Sequence, residues 1–431
     1  MKFFADEHLR EVSLNAFSAL LLKVVGAGFA FSFNLVVARL LGAEGAGVYF
    51  LALSITTISS VVARVGLDNA VLKFIATNAV HKEWGKVRGV YTLGICVVIP
   101  IAGLLSTIGF ISSSWIANEI FSKPSLGDPL KWMLLSILPL SLLNLNSESL
   151  KGIKRIPEAM IVQSVALPFC TLLLIFPLSR WFGVQGVSIS YLLGTTVVAL
   201  LGFCIWRKRM SQFKAPTENF SKKKLWVSCK PLFLASLMNR GLMPWAPLLL
   251  LGLWVTNEDV GVFGAATRVS MLISMMLVTV NSIMAPKFAE LYAKGEVDVL
   301  ARTFKKSARL VVILVTPIFV TLFILGESVM SLFGEEFISG SSVLRILLVG
   351  QFVNVLCGSV GYLLMMSGNE EIYKSITILS GLLQLFLVVV LSPMFGVAGA
   401  AWSMTIALSC MNFLGLFFVY KKIGIKIYNV Q

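Results

Sequence analysis

Phe182-Gly183-Val184-Gln185-Gly186 returns about 214 residues further on as Phe395-Gly396-Val397-Ala398-Gly399, and Ser190 returns as Ser403. Nearly the same offset joins Gly47-Val48-Tyr49 to Gly261-Val262-Phe263 and Lys73-Phe74 to Lys287-Phe288. Apolar sequence produces chance matches easily, but paired Gly and Lys-Phe positions at one barely drifting offset are harder to dismiss. Solenoid repeats are only tens of residues long, so a period of this length marks a duplicated helical bundle. Two equivalent halves are expected.

The composition says where those halves reside. Hydrophobic residues make up 57% of the 431 and charged residues 13%, against about 25% charged in soluble domains. Mean hydropathy is +0.88. This is the composition of a polytopic membrane protein. Apolar runs long enough to cross a ~30 Å hydrocarbon layer as helix fall near 14–41, 46–66, 89–110, 132–150, 158–178, 184–206, 230–255, 260–285, 308–328, 343–366, 372–392 and 396–420. Backbone amides in lipid must be satisfied internally, and the runs are too long and continuous for barrel strands. The expected fold is therefore all-α, with about twelve transmembrane helices in two parallel repeats of six. The boundaries read from the sequence are an amino-terminal lobe at 1–206, a basic linker at 207–229 and a carboxy-terminal lobe at 230–431.

Orientation follows from Lys and Arg, whose retention on the cytoplasmic side sets topology. With the amino terminus inside, cytoplasmic segments hold about 28 of the 36 basic residues. The largest cluster, Arg207 to Lys230 with Lys222-Lys223-Lys224, falls between the halves. Both termini are then cytoplasmic. Met1 to Asn15 lacks a cleavage site and reads as a short amphipathic helix at the inner surface, not a removable signal. Ala70 to Arg88 and Lys287 to Arg309 read as further inner-surface helices.

The net charge of +15 is the ordinary topological bias and not a nucleic-acid footprint. Cys96, Cys170, Cys204, Cys229, Cys357 and Cys410 show no Cys-x-x-Cys spacing and read as small core residues. His8 and His81 have no metal-ligand partner at helical spacing, and there is no phosphate-binding Gly-x-x-x-x-Gly-Lys-Ser/Thr loop. The longest outer loop, about 111–131, is too short for the apparatus of a membrane polymerase or glycosyltransferase. Neither catalysis nor a cofactor is expected.

Ionisable groups deep in a span cost about 2.5–3.5 kcal/mol on insertion scales and are functional hypotheses by default. Lys23 lies roughly 14 Å into the first span, Arg240 at a similar depth in the repeat-equivalent seventh, and Arg268 ~12 Å into the eighth from the other side, at 1.5 Å per residue. A single such cation is most simply read as snorkelling. Three, with Asp68, Glu148 and Glu327 all near span ends, read as uncompensated charge in a shared polar cavity, where a phosphate is the natural counter-ion. Asn34 extends the Lys23 stripe, and Asn144, Asn146, Gln351, Asn354 and Gln384 add groups suited to a sugar or to helix–helix bonds. Pro244 and Pro247 follow Arg240 by one turn and predict a kink, a candidate gate.

Ala38-Arg39-Leu40-Leu41-Gly42-Ala43-Glu44-Gly45-Ala46-Gly47-Val48-Tyr49, Val65-Gly66-Leu67-Asp68, Lys151-Gly152-Ile153-Lys154-Arg155 and the two Phe-Gly-Val-x-Gly copies carry a resemblance. Over its whole length the chain resembles the Wzx-type polysaccharide flippases of the multidrug/oligosaccharidyl-lipid/polysaccharide exporter superfamily. The resemblance implies two six-helix lobes around a central cleft that opens alternately to each membrane face. It implies a bacterial inner-membrane protein moving undecaprenyl-diphosphate-linked oligosaccharide from the cytoplasmic to the periplasmic leaflet in O-antigen and lipopolysaccharide, capsule or exopolysaccharide assembly. Lys23, Arg240 and Arg268 would hold the diphosphate, with Asn34 beside them. A polysaccharide polymerase and glycosyltransferases are the implied partners, besides membrane lipids. Related peptidoglycan-precursor flippases usually carry two further helices, for which this chain has no room. Drug-extruding relatives usually place an acid deep in a lobe, and here Asp68 and Glu148 are the only candidates for ion coupling. The alternative reading is a cation-coupled multidrug antiporter of the same fold.

Overall fold

The computed structural model describes residues 7–425 except 214; the chain ends, and with them the expected placement of both termini, lie outside the described residues. Two compact units emerge, Met1–Gly241 and Leu242–Gln431. Among the described residues every regular element is helical.

The first unit contains α1 (Glu7–Ala63), α2 (Leu67–Val80), α3 (Trp84–Trp115), α4 (Gly127–Leu135), α5 (Ile137–Gly152), α6 (Ile156–Met160), α7 (Leu167–Ser211) and α8 (Lys222–Ser236). The second contains α9 (Met243–Leu251), α10 (Asn257–Ala293), α11 (Val297–Ile324), α12 (Gly326–Ser331), α13 (Ser341–Cys357), α14 (Val360–Met366) and α15 (Glu370–Ile423). Among the described residues eight stretches are long and apolar enough to cross a membrane. Three of the long helices are broken by glycines outside helical geometry, Gly42 in α1, Gly183 in α7 and Gly396 in α15. Counting α8 with α9 as one further interrupted span gives the twelve crossings in the order expected.

The repeated pentapeptide now has a physical cause. Gly183 adopts φ 55°, ψ −130° and Gly396 φ 56°, ψ −131°, a left-handed region that a Cβ disfavours by about 1–2 kcal/mol. Three residues later, a Cβ on Gly186 would lie 2.0 Å from the Leu178 carbonyl oxygen, and one on Gly399 2.1 Å from that of Leu391. One glycine turns the chain and the next lets the returning helix rest on the end of its predecessor. Ser190 and Ser403, both buried, then bond the carbonyls of Val187 and Ala400 at 2.7 Å each. The two motifs are superposable devices, as a duplication requires.

Several expected loops and surface helices are differently built. The stretch taken as an outer loop is mostly helix: α3 runs to Trp115, a π-turn spans Ile116–Ile120, and α4 starts at Gly127. A hydropathy count sees a fall in apolar content there and cannot see that helix continues through most of it. The separate amphipathic helix at Met1 to Asn15 is absent as such, since helix from Glu7 runs without interruption into the first span; residues 1–6 lie outside the described set. The two presumed surface helices differ from each other. α2 is a separate helix with one face buried, whereas Lys287 lies inside the unbroken α10. Cys96 and Cys204 are exposed, not core residues, while Cys229 and Cys357 are buried as expected.

Candidate functional site

α8 is drawn onto the first unit through the turn between α1 and α2. Gly66 has φ 78°, and a Cβ there would fall 2.7 Å from the Cys229 carbonyl oxygen and 2.8 Å from the Phe233 nitrogen. The backbone of α8 therefore packs directly on the turn. Beyond α8 the chain enters a π-turn, Leu237–Leu242, that carries Arg240. Such turns widen the helix by one residue and recur at functional sites.

This placement brings Arg240 to two carboxylates. Its Nη1 donates to Asp68 Oδ2 and to Glu148 Oε1, each at 3.2 Å. Both acids are buried, 1% exposed, while Arg240 is 37% exposed and forms the accessible edge of the cluster. Arg64, 4% exposed, sets its Nε 2.8 Å from Asp68 Oδ1 and 3.0 Å from Oδ2. Its Nη1 donates to Ser60 Oγ at 2.7 Å, and Ser60 in turn lies 3.0 Å from Ser141 Oγ. On the other side Lys151 Nζ donates to Glu148 Oε1 at 3.1 Å and to Gln163 Oε1 at 2.7 Å. Gln163 sits in another π-turn, Ile161–Ala166. Three cations thus share two carboxylates.

The expectation that Arg240 is uncompensated is corrected by these contacts. Asp68 and Glu148 are near span ends when each helix is counted separately, but α2, α5 and α8 converge there. Two carboxylates buried this deeply require cations, since an unpaired one would neutralise or unfold its surroundings. Arg64, Lys151 and Gln163 are members that sequence reasoning missed. The spacing Arg64 to Asp68, four residues in apolar surroundings, was the available signal.

The other predicted residues are placed as follows. Lys23, half-buried in α1, makes no ion pair among the described residues. Asn34 Nδ2 donates to the Ala30 carbonyl at 2.6 Å. Arg268, in the second unit, donates from Nη1 to the Gly264 carbonyl at 3.1 Å and lies 5.5 Å from the Trp245 ring centroid, a cation–π contact. Pro244 opens α9 and Pro247 lies inside it, directly after the π-turn. Asn146 accepts from Tyr91 Oη at 2.8 Å and donates to the Ala199 carbonyl at 3.0 Å. Gln384 donates to the Met243 carbonyl at 2.8 Å. These two serve helix packing, not an open cavity.

In the second unit a cavity of about 160 Å³ lies beside the break between α13 and α14. Asn281, Asn354, Asn412, Ser359 and Tyr373 line it with carboxamides and hydroxyls, and among the described residues no charged side chain does. Among the described residues no His, Cys, Asp and Glu grouping suits a metal ion.

Comparisons with known proteins agree with this architecture. The chain is 24% identical over 408 residues to a probable low-salt glycan biosynthesis flippase of Haloferax volcanii, covering 94% of this chain and 82% of that protein. Its fold matches an inward-facing multidrug resistance MATE family transporter of the MOP superfamily with a TM-score of 0.77, at 16% identity, over 95% of this chain and 98% of the other. It matches the lipid II flippase MurJ, inward closed, with a TM-score of 0.73, at 14% identity, over 94% and 87%. Residues 36–341 match the family described as polysaccharide biosynthesis protein, and with most of its length so matched the chain belongs to that family.

Proposed function

We propose that this protein is a flippase for lipid-linked oligosaccharide, moving a repeat unit on undecaprenyl diphosphate from the cytoplasmic to the periplasmic leaflet of a bacterial inner membrane by alternating access. Membership of the polysaccharide biosynthesis protein family and the flippase relative support the class. The observation that carries the substrate is the surplus of positive charge at the accessible edge of the buried network. Arg240 spends Nη1 on Asp68 and Glu148, and a guanidinium has further N–H donors with the geometry to grip a phosphate. Lys23 adds a cation with no described counter-ion. A diphosphate satisfies both. Arg268, steered by Trp245, is the corresponding group in the second unit. The uncharged cavity lined by Asn281, Asn354 and Asn412 suits neutral sugar hydroxyls. Asp68 and Glu148 are the groups through which proton or sodium binding would alter the grip on Arg240, and Pro244 and Pro247 are the flexible point next to it. O-antigen assembly with a dedicated polymerase and glycosyltransferases is the setting that fits such a cargo.

A cation-coupled drug antiporter of the same fold is the second reading, favoured by the two buried carboxylates. Both are already held by cations, which leaves no net negative charge to attract a cationic drug. The test is surface-polysaccharide display in a deletion strain complemented with the wild type or with Lys23→Ala, Arg240→Ala or Arg268→Glu, with membrane expression followed in parallel. Loss of display with accumulation of lipid-linked repeat is expected. Full display in the deletion strain itself would remove the flippase reading and leave the antiporter.

A further inference from the structure

A cavity of about 710 Å³ lies in the first unit between α3, α8 and the segment that joins α7 to α8. That segment is tied down at several points. Trp84 and Phe213 stack with centroids 3.6 Å apart. Arg88 Nη2 donates to the carbonyls of Met210 and Phe213 at 2.7 Å each. Phe220 lies 5.0 Å from Phe74, and the Glu218 N–H donates to the Gly85 carbonyl at 3.1 Å. The chain from Thr217 to Phe220 is thus a fixed wall of the cavity, not a loose linker.

The α3 wall is formed by Gly89, Thr92, Leu93, Cys96 and Val97 and is mostly apolar. Further along the same helix face come Ile99, Phe110 and Ile111, all exposed on a stretch apolar enough to cross a membrane. Beyond the cavity α3 therefore carries an exposed apolar stripe. The opposite end of the cavity is basic. Lys222 lines it, and Lys223 and Lys224 follow, all three exposed. Trp226, half-exposed at the rim, has the amphipathic ring that favours a bilayer interface. The acid at this end does not cancel the lysines, because Glu218 turns its carboxylate onto Gly85, where a Cβ would meet Oε1 at 2.4 Å, and its charge acts on Lys86.

We propose that this cavity binds an anionic membrane phospholipid, with an acyl chain along Leu93, Cys96 and Val97 and the phosphate at Lys222, while Lys223 and Lys224 add to the positive potential of the same helical turn. A soluble anion would make no use of the apolar wall, and a zwitterionic lipid gains no net attraction from three lysines. The lipid would brace α8, the helix that delivers Arg240 to its carboxylates. The site does not depend on the identity of the transported cargo.

Cys96 reports on occupancy. The full-length chain keeping Cys96 alone, with Cys170, Cys204, Cys229, Cys357 and Cys410 each replaced by Ala, is placed in nanodiscs of phosphatidylcholine with or without phosphatidylglycerol. Labelling by a neutral maleimide is timed in each. Phosphatidylglycerol is expected to slow it about fivefold, and Lys222→Gln with Lys223→Gln and Lys224→Gln to abolish the slowing. A companion chain keeping only Cys204, exposed on α7, should label equally in both membranes. Equal Cys96 rates in the two membranes, slowing that survives the triple replacement, or equal slowing of Cys204 would each overturn the proposal. If the cysteine-depleted chain does not fold, native mass spectrometry of the unaltered protein and its triple Gln variant decides. Retention of phosphatidylglycerol by the first and not the second is expected, and equal retention overturns it.

Discussion

Arg64 and Arg240 touch the same carboxylate from opposite situations, and the contrast makes their roles separable. Arg64 is 4% exposed and Arg240 37%. Removing one partner of a buried pair costs about 3–5 kcal/mol, whereas exposed pairs contribute about 1 kcal/mol or less. Arg64→Ala should therefore lower thermal stability in detergent markedly and reduce the amount of folded protein. Arg240→Ala should cost much less stability yet abolish transport. Similar losses of stability in the two variants would contradict the division into a structural and an accessible cation. Gly66→Ala belongs with Arg64: it adds a Cβ 2.7 Å from the Cys229 carbonyl oxygen at a positive φ, so a loss of about 2 kcal/mol together with weakened transport is expected from thermal unfolding and complementation. Asp68 and Glu148 were visible in the sequence as acids near span ends and as candidates for ion coupling. Their pairing with Arg240 was not, because it depends on three helices converging and not on spacing along one.

At the scale of elements, the repeated glycine motif was legible because its cause is local: one positive φ followed by one close helix approach. Gly186→Ala and Gly399→Ala each drive a Cβ to about the same distance from a carbonyl oxygen, 2.0 and 2.1 Å. They should lower the melting temperature by similar amounts, and each by more than Ser190→Ala or Ser403→Ala, which lose a single bond to a carbonyl worth about 1 kcal/mol. A much smaller effect in one half would show that the two turns are not equivalent devices. The spans were equally legible, since their length and apolarity are compositional. The π-turns at Ile161–Ala166 and Leu237–Leu242 were not. A one-residue change in hydrogen-bond register leaves no mark on hydropathy, yet it decides where Gln163 and Arg240 point. The stretch expected to be a loop was misread for a related reason, as its less apolar residues remain helical in α3 and α4.

Across the whole molecule the duplication has kept the backbone devices and let the chemistry diverge. The first unit concentrates Arg64, Asp68, Glu148, Lys151 and Arg240 in one ionic network. The second has a cavity lined by Asn281, Asn354, Asn412, Ser359 and Tyr373 and, among the described residues, by no charged side chain. Ser359 Oγ donates to Asn281 Oδ1 there, while the Asn354 carboxamide makes no hydrogen bond among the described residues. A lipid-linked oligosaccharide has the same division, a dianionic diphosphate and a neutral, hydroxyl-rich glycan. If the ionic network serves the phosphate and this cavity the glycan, substitutions in the two should be distinguished by cargo. Arg240→Gln should impair movement of bare polyprenyl diphosphate and of the glycan-bearing lipid alike, because both carry the phosphate charge. Asn354→Leu fills the cavity with an apolar branch and should impair only the glycan-bearing lipid, by about tenfold if two sugar hydrogen bonds of roughly 0.5–1 kcal/mol each are lost. Reconstituted vesicles with each lipid in turn supply the comparison. Equal impairment of both lipids by Asn354→Leu would place the cavity in the general stability of the second unit and remove it from sugar recognition.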